Sequence, residues 1–133
     1  NNMANKHILM IDDDQAIQRH FGAKFSAAGH EMLYANNGND GREIARRFQP
    51  DLILLDIRMP DTDGYKIAER LREERSTAGI PVVFLTNEDL TPEAEKAVKE
   101  LFVAGYIHKS EDLNVILSKV EAVMSSRGNS KSP

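Results

Sequence analysis

Apolar residues fall along the chain in five short runs, at 7–11, 31–35, 52–56, 81–86 and 105–108. Between and after the runs, apolar positions recur every three or four residues, the spacing of one helix face. Ile17, Phe21, Phe25 and Ala28 mark a helix over about 15–28, closed by Gly29. Ile44, Ala45 and Phe48 mark one over 39–48, with a turn at Asn36-Asn37-Gly38 before it and Pro50 after it. Ala68 and Leu71 mark one over 64–74, and Thr91-Pro92-Glu93 opens another that runs to about 102. Leu113, Ile116, Leu117, Val120 and Met124 stripe a last helix over 111–125. Leu52-Ile53-Leu54-Leu55 is apolar on both faces, as in a strand covered by helices above and below.

Strands alternating with helices predict a parallel sheet with right-handed crossovers. Five such units in one chain fit an α/β, flavodoxin-like, doubly wound fold. The expected strand order is 2-1-3-4-5, with helices on both faces and a switch point between strands 1 and 3. The chain has 133 residues, enough for one domain, expected over 6–125. Residues 1–5 read as a disordered N-terminal extension, and the small, polar stretch 126–133 as a flexible tail or linker.

Composition narrows the function classes. There is no cysteine, which excludes disulfides and thiolate metal sites. No apolar run approaches the ~18 residues of a membrane span, and the start has no signal-peptide core, so no membrane role and a cytoplasmic location are expected. Net charge is −4 with no basic block, so direct nucleic-acid binding is not expected. His7, His20, His30 and His108 show no metal-ligand spacing and read as surface or strand residues.

The chemistry gathers at the strand ends. Strand 1 ends in Asp12 and Asp13, strand 3 in Asp56, strand 4 in Thr86 and strand 5 in Lys109. Asp14 is placed to cap the next helix. Parallel strands bring these ends to one edge, the edge at which open α/β sheets bind ligands. Three carboxylates that close repel unless a cation neutralises them. An all-oxygen set suits Mg²⁺, or Mn²⁺ in its place, rather than zinc. With metal on one side and Thr86 and Lys109 on the other, Asp56 is placed to take a phosphoryl group as an acyl phosphate.

Four stretches then carry a resemblance. They are Ile8-Leu9-Met10-Ile11-Asp12-Asp13-Asp14, Leu54-Leu55-Asp56-Ile57-Arg58-Met59-Pro60-Asp61-Thr62-Asp63-Gly64, Pro81-Val82-Val83-Phe84-Leu85-Thr86 and Gly105-Tyr106-Ile107-His108-Lys109. Together and in this order they resemble the receiver domain of two-component response regulators, the phosphoacceptor module that includes the chemotaxis regulator. The resemblance implies that Asp56 is the phosphoacceptor. It implies that Asp12, Asp13, Asp56 and the backbone carbonyl of Arg58 hold Mg²⁺. Thr86 becomes the switch hydroxyl, Tyr106 the aromatic that changes rotamer with it, and Lys109 the phosphoryl-binding lysine. The implied donor is a sensor histidine kinase or a histidine phosphotransfer protein. The implied target is a downstream effector or a fused output domain, met by the face of helix 4, strand 5 and helix 5. Such a domain is a monomer or a phosphorylation-promoted dimer, and it regulates rather than acting as an enzyme.

Three positions depart from the family's pattern. Ser110 stands where proline usually follows the lysine in a cis bond, so a trans peptide and a changed loop are expected. Asn87 is bulkier than the usual residue after the threonine, and Arg58 is long and cationic. Arg58, Asn87 and Glu88 are therefore expected to modulate the lifetime of the phosphoryl group. The competing readings are a degenerate receiver that binds partners without phosphorylation, an aspartate-nucleophile phosphohydrolase and a flavin carrier. The hydrolase would need a late acidic pair and a cap insertion. The flavin carrier would need a phosphate-cradling loop where this chain has three carboxylates.

Overall fold

The computed structural model describes residues 6–60 and 62–130, and side chains up to residue 126. The elements run in the order β1 (His7–Ile11), α1 (Gln15–Ala27), β2 (Glu31–Ala35), α2 (Gly38–Phe48), β3 (Leu52–Leu55), β4 (Arg58–Met59), β5 (Thr62–Asp63), α3 (Gly64–Glu73), β6 (Val82–Thr86), α4 (Pro92–Glu100), β7 (Gly105–His108) and α5 (Leu113–Ser130). The main sheet has the order β2-β1-β3-β6-β7 and is parallel throughout. This is the 2-1-3-4-5 winding expected from the pattern, with β6 and β7 as the fourth and fifth strands.

Alternation along the buried strands divides the core in two. Leu9, Ile11, Ile53, Leu55 and Phe84 face α2 and α3, where Ala45, Ile67, Ala68 and Leu71 close one layer. Ile8, Met10, Leu52, Leu54, Val83, Leu85 and Ile107 face α1 and α5, where Phe21, Phe25, Ile116, Val120 and Met124 close the other. All four residues of β3 are fully buried because this strand is covered on both sides.

Several boundaries differ from expectation. The segment after β3 carries a small antiparallel hairpin, Arg58 opposite Asp63 and Met59 opposite Thr62, where the sequence suggested only loop. Strands of two residues carry no readable period. α3 does open at Gly64, as expected, with the Asp63 carboxylate capping it by accepting from Tyr65 N–H at 2.9 Å. α5 continues to Ser130, five residues beyond the expected end at 125. The expected N-terminal extension and the last three tail residues lie outside the described residues.

One histidine is corrected. His30, read as a surface or strand residue, precedes β2 with its side chain wholly buried, its Nε2 2.7 Å from Glu121 Oε2 on α5. A residue at a helix-to-strand corner has no period that would betray its burial.

Candidate phosphoacceptor site

Parallel pairing aligns the strand ends, with Ile11 beside Leu55, Leu55 beside Phe84 and Thr86 beside His108. The next residues of β1, β3 and β7 therefore emerge together at the carboxyl edge. The Asp56 N–H donates to Ile11 O at 3.0 Å, and the Lys109 N–H to Thr86 O at 2.7 Å. These ladder bonds continue past the strands and fix both backbones.

Asp12, Asp13 and Asp56 each offer a carboxylate oxygen within 4.8 Å of the others. Asp12 and Asp56 are buried, and Asp13 faces solvent. Asp14 is withdrawn from the group, as expected, because its Oδ1 caps α1 by accepting from Ala16 and Ile17 N–H at 2.9 and 3.2 Å. Asp12 Oδ1 accepts from Asp14 N–H at 2.9 Å. Asp56 Oδ1 accepts from Arg58 N–H at 3.2 Å.

The buried ammonium of Lys109 lies between the two buried carboxylates. Its Nζ is 2.8 Å from Asp12 Oδ2 and 3.3 Å from Asp56 Oδ2. Apart from this ion pair, Asp12 Oδ2 has no hydrogen-bond partner. Burial, then the charge of Asp12, push the Asp56 carboxyl up to about 6, against Lys109 and the Arg58 N–H, which hold it down. Burial alone would lower Lys109, but the hydrogen bond to Asp12 and the charges of Asp12 and Asp56 outweigh it and hold the amine above its usual value.

The donor set fits a hard divalent cation. One ammonium against three carboxylates leaves two negative charges, the ligands are all oxygen, and the buried Asp12 Oδ2 has no partner besides the Lys109 ammonium. The exposed Asp13 marks the side from which an ion would enter.

The remaining expected residues lie around this centre. Thr86 is buried at the end of β6, and its Oγ1 accepts from Glu88 N–H at 3.2 Å. The Tyr106 hydroxyl donates to Glu88 O at 2.9 Å and Asp89 O at 3.2 Å, and its ring meets Phe84 edge-on. The exposed Arg58 reaches across to Glu88, Nε to Oε2 at 2.7 Å. Glu88 thus joins the hairpin, Thr86 and Tyr106, a convergence that no local spacing announces. Asn87 is exposed. The Lys109–Ser110 peptide is trans, as Ser110 led one to expect. A hollow of about 390 Å³ between Lys6, Asp51, Arg75 and Pro81 lies at the opposite edge of the sheet and shares no residue with this site.

Comparison with known proteins agrees with this geometry. The family described as response regulator receiver domain matches residues 8–121. Protein PilH of Pseudomonas aeruginosa is 33% identical over 118 residues, covering 88% of this chain and 96% of that protein. The phosphate regulon transcriptional regulatory protein PhoB of the same organism is 31% identical over 98% of this chain, which spans only 58% of it. The chain likewise spans 48% of RpaA, a DNA-binding dual master transcriptional regulator of Synechocystis, at 35% identity over 88% of this chain. Among solved structures, a CheY-like receiver domain from Methanospirillum hungatei superposes with a TM-score of 0.87 at 23% identity, over 96% of this chain and 99% of that one. Chemotaxis protein CheY4 of Vibrio cholerae gives 0.84 at 24%, over 90% and 99%.

Proposed function

The chain belongs to the response regulator receiver domain family, and from that premise we propose that it is a phosphorylation-dependent switch whose phosphoacceptor is Asp56. The observation that carries this reading is the buried Lys109 ammonium held between Asp12 and Asp56, with Asp13 open beside them. An Asp56 oxygen attacks phosphorus of a phosphohistidine on a partner kinase or phosphotransfer protein. The new P–O bond forms as the P–N bond breaks, and the electron pair leaves on the imidazole, which takes a proton from solvent. With its carboxyl titrating at about 6, Asp56 is mostly ionised at neutral pH and needs no base. Lys109 is placed to move its charge from Asp56 to a phosphoryl oxygen. The Thr86 hydroxyl, now an acceptor from Glu88 N–H, turns to donate to another.

Mg²⁺, or Mn²⁺ in its place, would be held by Asp12, Asp13, Asp56 and the Arg58 carbonyl, and would neutralise charge on the phosphoryl oxygens. When Thr86 lets go of Glu88, the Tyr106 hydroxyl loses a partner in the same loop, so the change spreads to α4, β7 and α5, the face offered to an effector or fused output domain. Arg58, Asn87 and Glu88 govern access and phosphoryl lifetime. The domain regulates rather than turning over a substrate. We assign the receiver to residues 6–125, with α5 carrying on from it to Ser130, and a cytoplasmic setting.

The test is intact mass after incubation with a small phosphodonor and Mg²⁺. One labile adduct that requires Mg²⁺ and is absent from Asp56→Asn supports the reading. A wild type that takes no phosphoryl group while binding Mg²⁺ overturns it in favour of a partner-binding module.

A further inference from the structure

Lys109 has a long, flexible side chain, yet its Nζ must meet two carboxylates. Its backbone sits in a tight turn. The Glu111 N–H donates to His108 O at 3.1 Å, closing four residues with Lys109 and Ser110 at the centre. The His108 N–H donates in return to Glu111 Oε2 at 3.1 Å, and Glu111 Oε1 pairs with Lys119. The imidazole of His108 completes the closure. Its Nδ1 accepts from Ser110 N–H at 3.1 Å and lies 2.8 Å from Ser110 Oγ. Its Nε2 lies 3.7 Å from Asp89 Oδ1, in the loop that the Tyr106 hydroxyl also holds.

We propose that His108 is a positioning residue for Lys109: its Nδ1 satisfies the Ser110 amide, fixes the peptide between them and so aims the ammonium at Asp12 and Asp56. The amide exists to be satisfied because residue 110 is serine, not proline. An amide donor can be accepted only by an unprotonated Nδ1, so the neutral ring carries its proton on Nε2, toward Asp89. A side-chain acceptor reaching the amide two residues on is also what asparagine supplies in an Asx-turn. The imidazole is therefore replaceable by asparagine and not by phenylalanine, which fills similar space without an acceptor.

This inference rests on the phosphoacceptor reading, and its test separates the two. His108→Phe and His108→Asn are compared with wild type in the rate of adduct formation at saturating donor and Mg²⁺. They are also compared in the rate of reductive methylation of the Lys109 amine, read by peptide mass. We expect the phenylalanine variant to take the phosphoryl group about tenfold more slowly. Its Lys109 should methylate several-fold faster, because the amine swings toward solvent. The asparagine variant should stay within about threefold of wild type in both. A phenylalanine variant with wild-type rates, or an asparagine variant as impaired as phenylalanine, overturns the proposal. A wild type without adduct overturns the phosphoacceptor reading instead, and the Lys109 methylation rates alone then decide whether His108 places the amine.

Discussion

At the scale of single residues, the site is bought at the expense of stability, and Asp56 shows how much. Its folded carboxyl keeps a proton up to about pH 6, while the ordinary value is 3.8. Below the lower value both folded and unfolded chains are protonated there, and the group costs nothing. Between the two values the folded chain binds more protons, so this contribution is lost as pH rises, and above about 6 the loss is complete. Two units correspond to about 3 kcal/mol. Asp56→Asn, which never ionises, should therefore be more stable than wild type by about 1–3 kcal/mol at pH 7.5 without metal, and the difference should vanish near pH 4. Paired thermal melts across that range check it, and equal midpoints at pH 7.5 would sink the argument. Asp12, Asp13, Asp56, Thr86 and Lys109 were legible because strand ends follow directly from apolar runs. Glu88 was singled out as a modulator, but its bonds to Arg58, Thr86 and Tyr106 were not legible, nor was the contact of His108 with Ser110, because such partners depend on how two loops approach.

At the scale of elements, the chain fixes its site through close approaches that only glycine permits. A Cβ on Gly64, the first residue of α3, would lie 2.5 Å from Ile57 Cα and 2.7 Å from Asp56 O. Both obstacles are backbone, directly after β3, and neither can rotate away. A Cβ on Gly22, within α1, would meet the far end of Tyr34, whose exposed ring can swing aside. Gly64→Ala should thus lose about 1–3 kcal/mol and slow phosphoryl transfer by moving Asp56. Gly22→Ala should stay within about 1 kcal/mol of wild type, since alanine's helix propensity offsets the displaced ring. Denaturant melts of the pair decide it, and equal losses would mean that the backbone contact at Gly64 does not constrain the fold. A glycine after an aspartate at the end of the β3 loop was visible in the sequence as punctuation. Its role in seating α3 against the Asp56 peptide needed the packing. The hairpin of β4 and β5 was hidden for a simpler reason, since two residues cannot alternate long enough to be read.

At the scale of the whole molecule, four strand ends, those of β1, β3, β6 and β7, converge on the site. Two apolar layers hold the sheet, and the one facing α2 and α3 runs up to the carboxylates through Ile11, Leu55 and Ile57. The winding was readable because β3 and β6 are apolar throughout and flanked by helical periods. The burial of His30 against α5 was not, since a corner residue has no pattern. A cation bound by these carboxylates would be a handle on the stability of the entire domain. An ion that binds only the folded chain stabilises it by about 2.7 kcal/mol at a hundred times its dissociation constant, which for a domain of this size is a rise of roughly 10 °C. The rise should grow as pH increases through about 6, where Asp56 gives up the proton that competes with the ion. Asp13 is exposed, whereas Asp12 pairs with Lys109. Asp13→Ala should accordingly melt close to wild type without Mg²⁺ and lose the rise. Asp12→Ala should melt lower even without metal, because it strips Lys109 of its nearer partner. Thermal shifts with and without Mg²⁺ at pH 5 and pH 7.5 separate these cases. A rise that survives in Asp13→Ala would place the ion away from the three carboxylates, and with it the charge that the transferring phosphoryl group needs.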